Sequence, residues 1–301
     1  MTRGISALNA LALLREGLAR LESAGIPTAR QDAEWLLAST LGTDRFAVYL
    51  DPAREVTGEQ AGRYEALTAR RAAREPLQYL LGFEEFHGLR LTVTPAVLIP
   101  RPETEGLVSW AVDVLRDRPR ARVADIGTGS GAIACALATA VPDAEVIAVE
   151  CSPSALEVAR DNARRLGLSG RITWLAGDLL EPLASARGAL DLVVANAPYI
   201  PSALIRSLQP EVSAFEPRLA LDGGPDGMAV LRRLIVGAPA LLTPGGWLLM
   251  EIGDDQAGSV ASLLAAEGFQ GIRARHDLRG VERYIAGQWP PATPRPPSVS
   301  G

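Results

Sequence analysis

The chain has no lysine; all 30 of its basic residues are arginine. That excludes a Schiff-base lysine and the phosphate-gripping lysine of a Walker-type loop. Cysteine and histidine are nearly absent, with 2 of each. Cys135 and Cys151 form neither a disulfide framework nor a metal-ligand spacing, so they read as small apolar packing residues. His87 and His276 stand far apart in the sequence, so no metal is expected and histidine has little scope for acid–base work. No segment approaches the ~20 apolar residues that span a bilayer. The apolar stretch Leu8–Leu14 is too short for a secretory leader and runs on into an amphipathic pattern. Excess positive charge is lacking as well: the formal charge is −5, which implies no general polyanion-binding surface. The expectation is a cytoplasmic protein with no membrane partner and no direct DNA binding.

What is present is enough for one large domain and a small one: 301 residues, 48% of them hydrophobic. Residues 1–80 read as a small helical bundle. Leu11, Leu14, Leu18 and Leu21 recur at helical spacing until Gly25-Ile26-Pro27 breaks the run. A second helix carries Ala33, Leu36, Leu37 and Leu41 and stops at Gly42. A third runs from Gly58 to Arg74 and ends before Pro76. The run Arg70-Arg71 to Arg74 reads most simply as a solvated helix face; a docking surface for an acidic or RNA-like partner is the sharper reading. Residues 81–100 form a linker in which Phe83 to Val93 alternates around a glycine, as a β-hairpin does. From Arg122 onward strand and helix patterns alternate regularly, with strands expected at 122–126, 145–149, 171–175, 190–195 and 246–252. A final pair is placed at 269–275 and 282–286. The fold class is therefore α/β, a doubly wound and mostly parallel sheet over 101–287. Residues 288–301 read as a disordered Pro-rich tail.

Four strand ends carry polar chemistry. Asp125-Ile126-Gly127-Thr128-Gly129-Ser130-Gly131 follows the first strand of the alternating region and opens a helix. Its glycines let a ligand approach the backbone, and the exposed helix N–H groups face that ligand. Alone, this loop also fits a dinucleotide fingerprint. Glu150 ends the next strand, placed for a carboxylate on ribose hydroxyls, and both NAD and S-adenosylmethionine carry such a ribose. Three features tilt the choice to S-adenosylmethionine. Asp125 can sit near a cationic amino-acid moiety. In Gly177-Asp178-Leu179, Asp178 can accept from an adenine amino group while Leu179 covers the ring. Asn196-Ala197-Pro198-Tyr199 then closes the strand 190–195, where a nicotinamide enzyme has no evident use for it. Its asparagine amide can pair with another amide, its proline stiffens the turn, and its tyrosine supplies a flat wall.

With these motifs in place, the chain resembles the HemK/PrmC-type release factor glutamine methyltransferases over nearly its whole length. The resemblance rests on Arg74-Glu75-Pro76-Leu77-Gln78-Tyr79-Leu80-Leu81-Gly82, Phe86-His87-Gly88, Val97 through Glu105, the glycine loop, the Asn-x-Pro-Tyr tetrapeptide, and Phe215 through Leu221. The glycine loop is shared by many methyltransferases; the combination is specific. It implies a helical substrate-recognition domain before a Rossmann-like S-adenosylmethionine-dependent methyltransferase domain. It also implies methylation of the glutamine side-chain amide in the GGQ motif of bacterial class 1 peptide release factors. By resemblance, Gly127 to Gly131, Glu150 and Leu179 line the cofactor, and Asn196 to Tyr199 hold the substrate glutamine. The family usually has proline where this chain has Ala197. Alanine keeps the backbone carbonyl needed to accept from the substrate amide but loses the fixed φ, while Pro198 still drives it toward an extended conformation.

The chemistry expected is orientation. Asn196 Oδ1 and the Ala197 carbonyl accept the two amide hydrogens, aiming a poorly nucleophilic nitrogen at the methyl group. Tyr199 packs beside the amide or the sulfonium, with a modest cation–π contribution. Glu103 and Glu105 read either as helix-terminus charges or as the rim of the active-site mouth. The competing readings are a glutamine methyltransferase acting on a ribosomal protein, a nucleic-acid adenine amino methyltransferase, a non-catalytic nucleotide-binding regulator and an NAD-dependent oxidoreductase.

Overall fold

The structure, a computed structural model, describes residues 9–291. The start of the Leu8–Leu14 stretch and the Pro-rich tail beyond residue 291 lie outside the described residues. The chain divides into two compact units: residues through Phe83 together with Gln209–Phe215, and residues 84–208 together with those from Glu216 onward.

The first unit is helical, with helices Ala10–Ser23, Ala29–Leu41, Ala47–Leu50, Gly58–Ala72 and Leu77–Leu81. Each boundary has a local cause. Asn9 caps the first helix through its side chain, Gly42 ends the second in the left-handed conformation, and Thr57 and Gln60 form a capping box on the helix from Gly58. Leu13, Leu14, Leu21, Leu36, Leu37, Tyr64 and Leu67 fill the core. The arginine run departs from both readings of it. Arg71 is buried, its Nε donating to Asp32 at 2.7 Å and its Nη1 to Glu211 at 2.9 Å. Arg74 reaches Glu211 at 2.7 Å, and Arg70 binds Glu75 through two nitrogens. Carboxylates from within this unit neutralise the run, so it is neither a solvated face nor an open basic surface. Glu211 sits on the short helix Pro210–Phe215, which the sequence places inside the α/β region but which clusters with the helical unit.

The second unit is a doubly wound sheet. A hairpin, β1 (Phe83–Phe86) and β2 (Leu89–Thr92), opens it. His87 and Gly88 both have positive φ, as a two-residue hairpin turn compatible with strand twist requires. The main sheet holds β3 (Arg122–Ile126), β4 (Glu145–Glu150), β5 (Ile172–Ala176), β6 (Leu190–Ala195), β7 (Leu242–Glu251), β8 (Gln270–His276) and β9 (Glu282–Gln288) in the order β5-β4-β3-β6-β7-β9-β8. β3 to β7 run parallel; β9 is antiparallel to β7 and to β8. Strand β7 begins before its expected start because a register shift opposite Leu190 and Leu192 accommodates Pro244-Gly245-Gly246. β9 runs to Gln288, and Trp289 then packs edge-on against Phe269; order therefore extends past the expected start of the tail.

Both faces of this sheet are covered. In β6, Leu192 and Val194 enter one core while Val193 and Ala195 enter the other. That period-2 division explains why the strand reads as an unbroken apolar run. Each fully buried Leu or Val here contributes roughly 1.5–3 kcal/mol, which fixes the sheet as a rigid platform for its carboxyl-end loops. Among the described residues, no helix is long and apolar enough to cross a membrane.

Candidate active site

In parallel sheets of this kind the carboxyl edge is the ligand edge, and β3 is the point at which the strand order reverses direction. The register brings the expected site residues together there. Ile126 pairs with Val149 on one side and Ala195 on the other, so the loops starting at Gly127, Glu150 and Asn196 leave adjacent strands at one level. Glu150 pairs with Ala176, two residues before Asp178, and Ala195 pairs with Met250, the residue before Glu251.

The glycine loop is held from below. Gly127 and Thr128 donate their N–H groups to the Val149 carbonyl at 2.9 and 3.0 Å. Gly127, Gly129 and Gly131 all have positive φ, which costs glycine little. A Cβ on Gly127 would meet nothing within 4 Å, whereas one on Gly131 would press on Ala159 at 3.1 Å. Gly127 thus leaves open space at the sheet edge, and Gly131 allows the helices to pack closely. Asn162, buried, donates to the Ser130 carbonyl at 2.9 Å and exchanges hydrogen bonds with Thr92. It ties the loop to the hairpin; nothing in the sequence singled it out.

Asp125 is fully buried beneath this loop. Its Oδ2 accepts from the Thr128 hydroxyl at 2.5 Å and from the Ala134 N–H at 3.1 Å, while Oδ1 has no partner among the described residues. Burial, with a smaller push from the Glu150 charge, raises its carboxyl to about 7 against the pull of those two hydrogen bonds. Glu150, also buried, accepts from Gly129 N–H on Oε2 and from Ser152 N–H on Oε1, both at 2.9 Å. Oε1 also accepts from the Cys151 thiol at 3.5 Å; a carboxylate has about four lone-pair sites, so Oε2 retains acceptor capacity for a hydroxyl. Asp178 Oδ2 is paired with Arg233 at 2.6 Å on the surface, an exposed contact that is cheap to rearrange. Leu179 adopts φ 48, a left-handed conformation that a leucine holds only at a cost.

The second half of the edge is a polar chain in which Thr104 and Glu251 are buried and Asn196 and Tyr199 are half-buried. Asn196 Nδ2 donates to Thr104 Oγ1 at 3.0 Å. The Thr104 hydroxyl donates to Glu251 Oε2 at 2.7 Å, and the Tyr199 hydroxyl donates to Glu251 Oε1 at 3.2 Å. Burial pushes the Glu251 carboxyl up, and the two hydroxyls and the Arg283 charge hold it back. Burial and the neighbouring carboxylate raise the Tyr199 phenol, so it stays a hydrogen-bond donor. The Tyr199 backbone is fixed too: its carbonyl accepts from Gln256 Nε2 at 2.9 Å. A Cβ on Gly223 would approach Tyr199 Cα to 2.8 Å, and one on Gly227 would collide with the Tyr199 carbonyl. Among the described residues no hydrogen bond reaches Asn196 Oδ1 or the Ala197 carbonyl.

Glu103 and Glu105 have structural partners. Glu105 accepts the His87 N–H at 2.8 Å, and the Glu103 carbonyl accepts the Tyr284 hydroxyl. The threonine between them is the residue that reaches the active edge. Two of the segments carrying the family resemblance also meet: buried Glu216 pairs with Arg101 at 2.5 Å and accepts the Ile99 N–H at 3.3 Å. Sequence reasoning missed Thr104, Glu251 and Gln256. Glu251 had a usable signal, since it ends a strand as Glu150 does; Thr104 had none by itself. A separate cleft of about 500 Å3 is lined by residues preceding β3 and β4, including Arg116, Arg118 and Asp143, at the opposite edge of the sheet.

Comparison with known proteins accords with this geometry. Residues 12–82 match the PrmC N-terminal domain, and residues 123–213 match a methyltransferase domain. The release factor glutamine methyltransferase of Geobacter sulfurreducens is 46% identical over 89% of this chain and 92% of its own length. That of Moorella thermoacetica is 47% identical over 90% of this chain and 95% of its own. The hMettl16 catalytic domain, at 17% identity, superposes with a TM-score of 0.57 over 80% of this chain and 84% of that one, a likeness of fold. A Rossmann-like sheet with a glycine loop on its carboxyl edge, together with 46–47% identity over about nine tenths of the chain, places the protein in the family of release factor glutamine methyltransferases.

Proposed function

We propose that this chain transfers a methyl group from S-adenosylmethionine to the side-chain amide nitrogen of the glutamine in the GGQ motif of bacterial class 1 release factors, in the cytoplasm. The observation that carries the reading is the state of Asn196. Its amide nitrogen is engaged by Thr104, which leaves Oδ1 as an acceptor next to the glycine loop, one strand away.

The cofactor fits the residues present. The open space over Gly127, the buried and unpartnered Asp125 Oδ1 and the spare acceptor capacity of Glu150 suit a ligand with an ammonium group and a ribose diol. In this reading Gly127, Thr128, Gly129, Ser130 and Gly131 form the cradle, Asp125 offers its unpartnered Oδ1 as an acceptor beneath it, and Glu150 takes the ribose hydroxyls. Asp178 takes the adenine amino group after releasing Arg233, and Leu179 covers the ring. When bound, S-adenosylmethionine supplies an electrophilic methyl on a positively charged sulfur.

The protein's task is to hold the acceptor. Asn196 Oδ1 and the Ala197 carbonyl bind the two amide hydrogens of the substrate glutamine. Holding both fixes the direction of the nitrogen lone pair and favours the positive charge that develops on it. Pro198 keeps Ala197 extended, and Tyr199, anchored through its hydroxyl and its carbonyl, walls the pocket. The methylated nitrogen then sheds a proton to water, because an N-protonated amide is a strong acid and needs no protein base. The test is transfer from labelled S-adenosylmethionine to a purified release factor and to its GGQ-to-GGA variant. Label is expected on the first alone; equal label on both would reject the assigned acceptor.

A further inference from the structure

Thr104 and Glu251 are assigned no contact with the substrate amide itself; they meet Asn196 and Tyr199 from behind and bear on which end of the Asn196 amide faces the substrate. We propose that Thr104 and Glu251 are positioning residues whose hydrogen-bond relay locks the Asn196 amide with Oδ1 presented to the acceptor; this rests on the glutamine-acceptor reading above.

The argument is a proton count. The oxygen and nitrogen ends of an asparagine side chain have nearly the same shape, so only hydrogen bonding distinguishes its two orientations. Glu251 accepts on both oxygens, from the Thr104 and the Tyr199 hydroxyls. The single proton of the Thr104 hydroxyl is committed to Glu251 Oε2 at 2.7 Å. Thr104 Oγ1 can then face Asn196 only as an acceptor, which requires Nδ2 at the 3.0 Å contact. The flipped amide would set two acceptors against each other at that distance, in a setting where Thr104 is 4% and Glu251 2% exposed and no water-like screening relieves the clash.

The relay is itself braced. Tyr199 holds the second Glu251 oxygen at 3.2 Å. Thr104 sits in a short turn, Pro102–Thr104, whose Glu103 carbonyl is held by Tyr284. Gly106 permits that contact, since a Cβ there would collide with the Tyr284 hydroxyl. The same carboxylate thus fixes both polar residues of the tetrapeptide: Tyr199 directly and Asn196 through Thr104. A flipped Asn196 would offer the substrate amide two hydrogens where it needs an acceptor. The consequence is a lower fraction of correctly held glutamine, not a weaker cofactor site.

The experiment compares Thr104→Val, Thr104→Ala and Thr104→Ser in the full chain, with labelled S-adenosylmethionine and purified release factor. Thr104→Val keeps the shape and removes the relay; Thr104→Ala removes it without filling the space. Both are expected to lower kcat by about 10-fold or more. Cofactor affinity by calorimetry and KM for the release factor should change less than about 3-fold. Thr104→Ser should recover most of kcat because it restores the hydroxyl. Undiminished kcat in both hydroxyl-free variants would overturn the relay while leaving the acceptor reading intact. Equal loss in Thr104→Ser would also overturn it, by assigning the effect to packing. Absence of transfer by the wild-type chain would overturn the acceptor reading, and the relay with it.

Discussion

The two halves of the sheet's carboxyl edge are assembled differently. On the glycine-loop side, the contacts of Asp125 and Glu150 join residues close in sequence: Thr128 and Asp125 lie 3 apart, Ala134 and Asp125 lie 9 apart, and Gly129 and Glu150 lie 21 apart. On the acceptor side, Asn196 and Thr104 are separated by 92 residues, Thr104 and Glu251 by 147, and Tyr199 and Glu251 by 52. The first half is a strand–loop–helix unit that its own sequence specifies. The second exists only once β6, β7 and the turn before the helix Glu105–Leu115 have met. Under the proposed function, the difference predicts that cofactor binding and acceptor placement are separable, with separate failure modes.

The sharpest way to break that comparison is a reciprocal pair of substitutions. In the proposed mechanism Asn196→Ala removes an acceptor for the reacting nitrogen's hydrogen, so methyl transfer should fall by ~100-fold or more while calorimetric cofactor affinity stays near wild type. Glu150→Ala removes a carboxylate from the cofactor side, so cofactor affinity should fall by about 10-fold or more. At saturating cofactor the turnover of this second variant should suffer far less. If Asn196→Ala damaged cofactor binding as much as Glu150→Ala, the two halves would have to be treated as one site.

A smaller effect separates the halves by pH. The Asp125 carboxyl, raised by burial to about 7, is protonated more readily folded than unfolded. Its contribution to stability is fully present below the ordinary carboxylate range near 4 and is lost as pH rises through about 7. Between pH 5.5 and 8.5 the wild-type chain should lose about 2 kcal/mol relative to Asp125→Asn, nearly all of it below about pH 7, where the slope approaches roughly 1.36 kcal/mol per pH unit. Denaturant unfolding at pH 5.5 and 8.5 measures this; parallel pH profiles of the two proteins would remove Asp125 from the account.

The smallest expected effect lies on the acceptor side. Ala197→Pro keeps the carbonyl and restricts φ, and among the described residues the Ala197 N–H makes no hydrogen bond that would be lost. Activity should change by no more than a few-fold, with stability raised by about 0.4–1 kcal/mol through the unfolded state. A loss beyond 10-fold would show that the native φ at this position is incompatible with proline.

Legibility in the sequence follows the same division. The strands from Arg122 to Ile126 and from Leu190 to Ala195 stand where the apolar runs put them, because a strand covered on both faces needs apolar residues in succession. The helix stop at Gly42 and the hairpin turn at His87-Gly88 are likewise local events, set by positive φ. The glycine loop and Glu150 share an edge because parallel strands in register leave their carboxyl ends level. Thr104 was invisible because nothing in Pro102-Glu103-Thr104-Glu105 marks the threonine as more than a turn residue. Its charged neighbours have other partners: Glu105 braces the hairpin, and Glu103 meets Tyr284 by its backbone carbonyl. The pairing of the arginine run is equally non-local: the two carboxylates on Arg71 come from Asp32, 39 residues away, and Glu211, 140 residues away.

By itself the sequence determined the alternation of strands and helices, the glycine cradle and the polar residue at each strand end, since these depend on backbone preferences and on side-chain periods of 2 and 3.6. Tertiary structure alone decided which hydroxyl meets which carboxylate. The orientation of the Asn196 amide, and with it the polarity of the pocket, depends on where one proton of Thr104 goes, and that is settled only when three distant segments are packed around it.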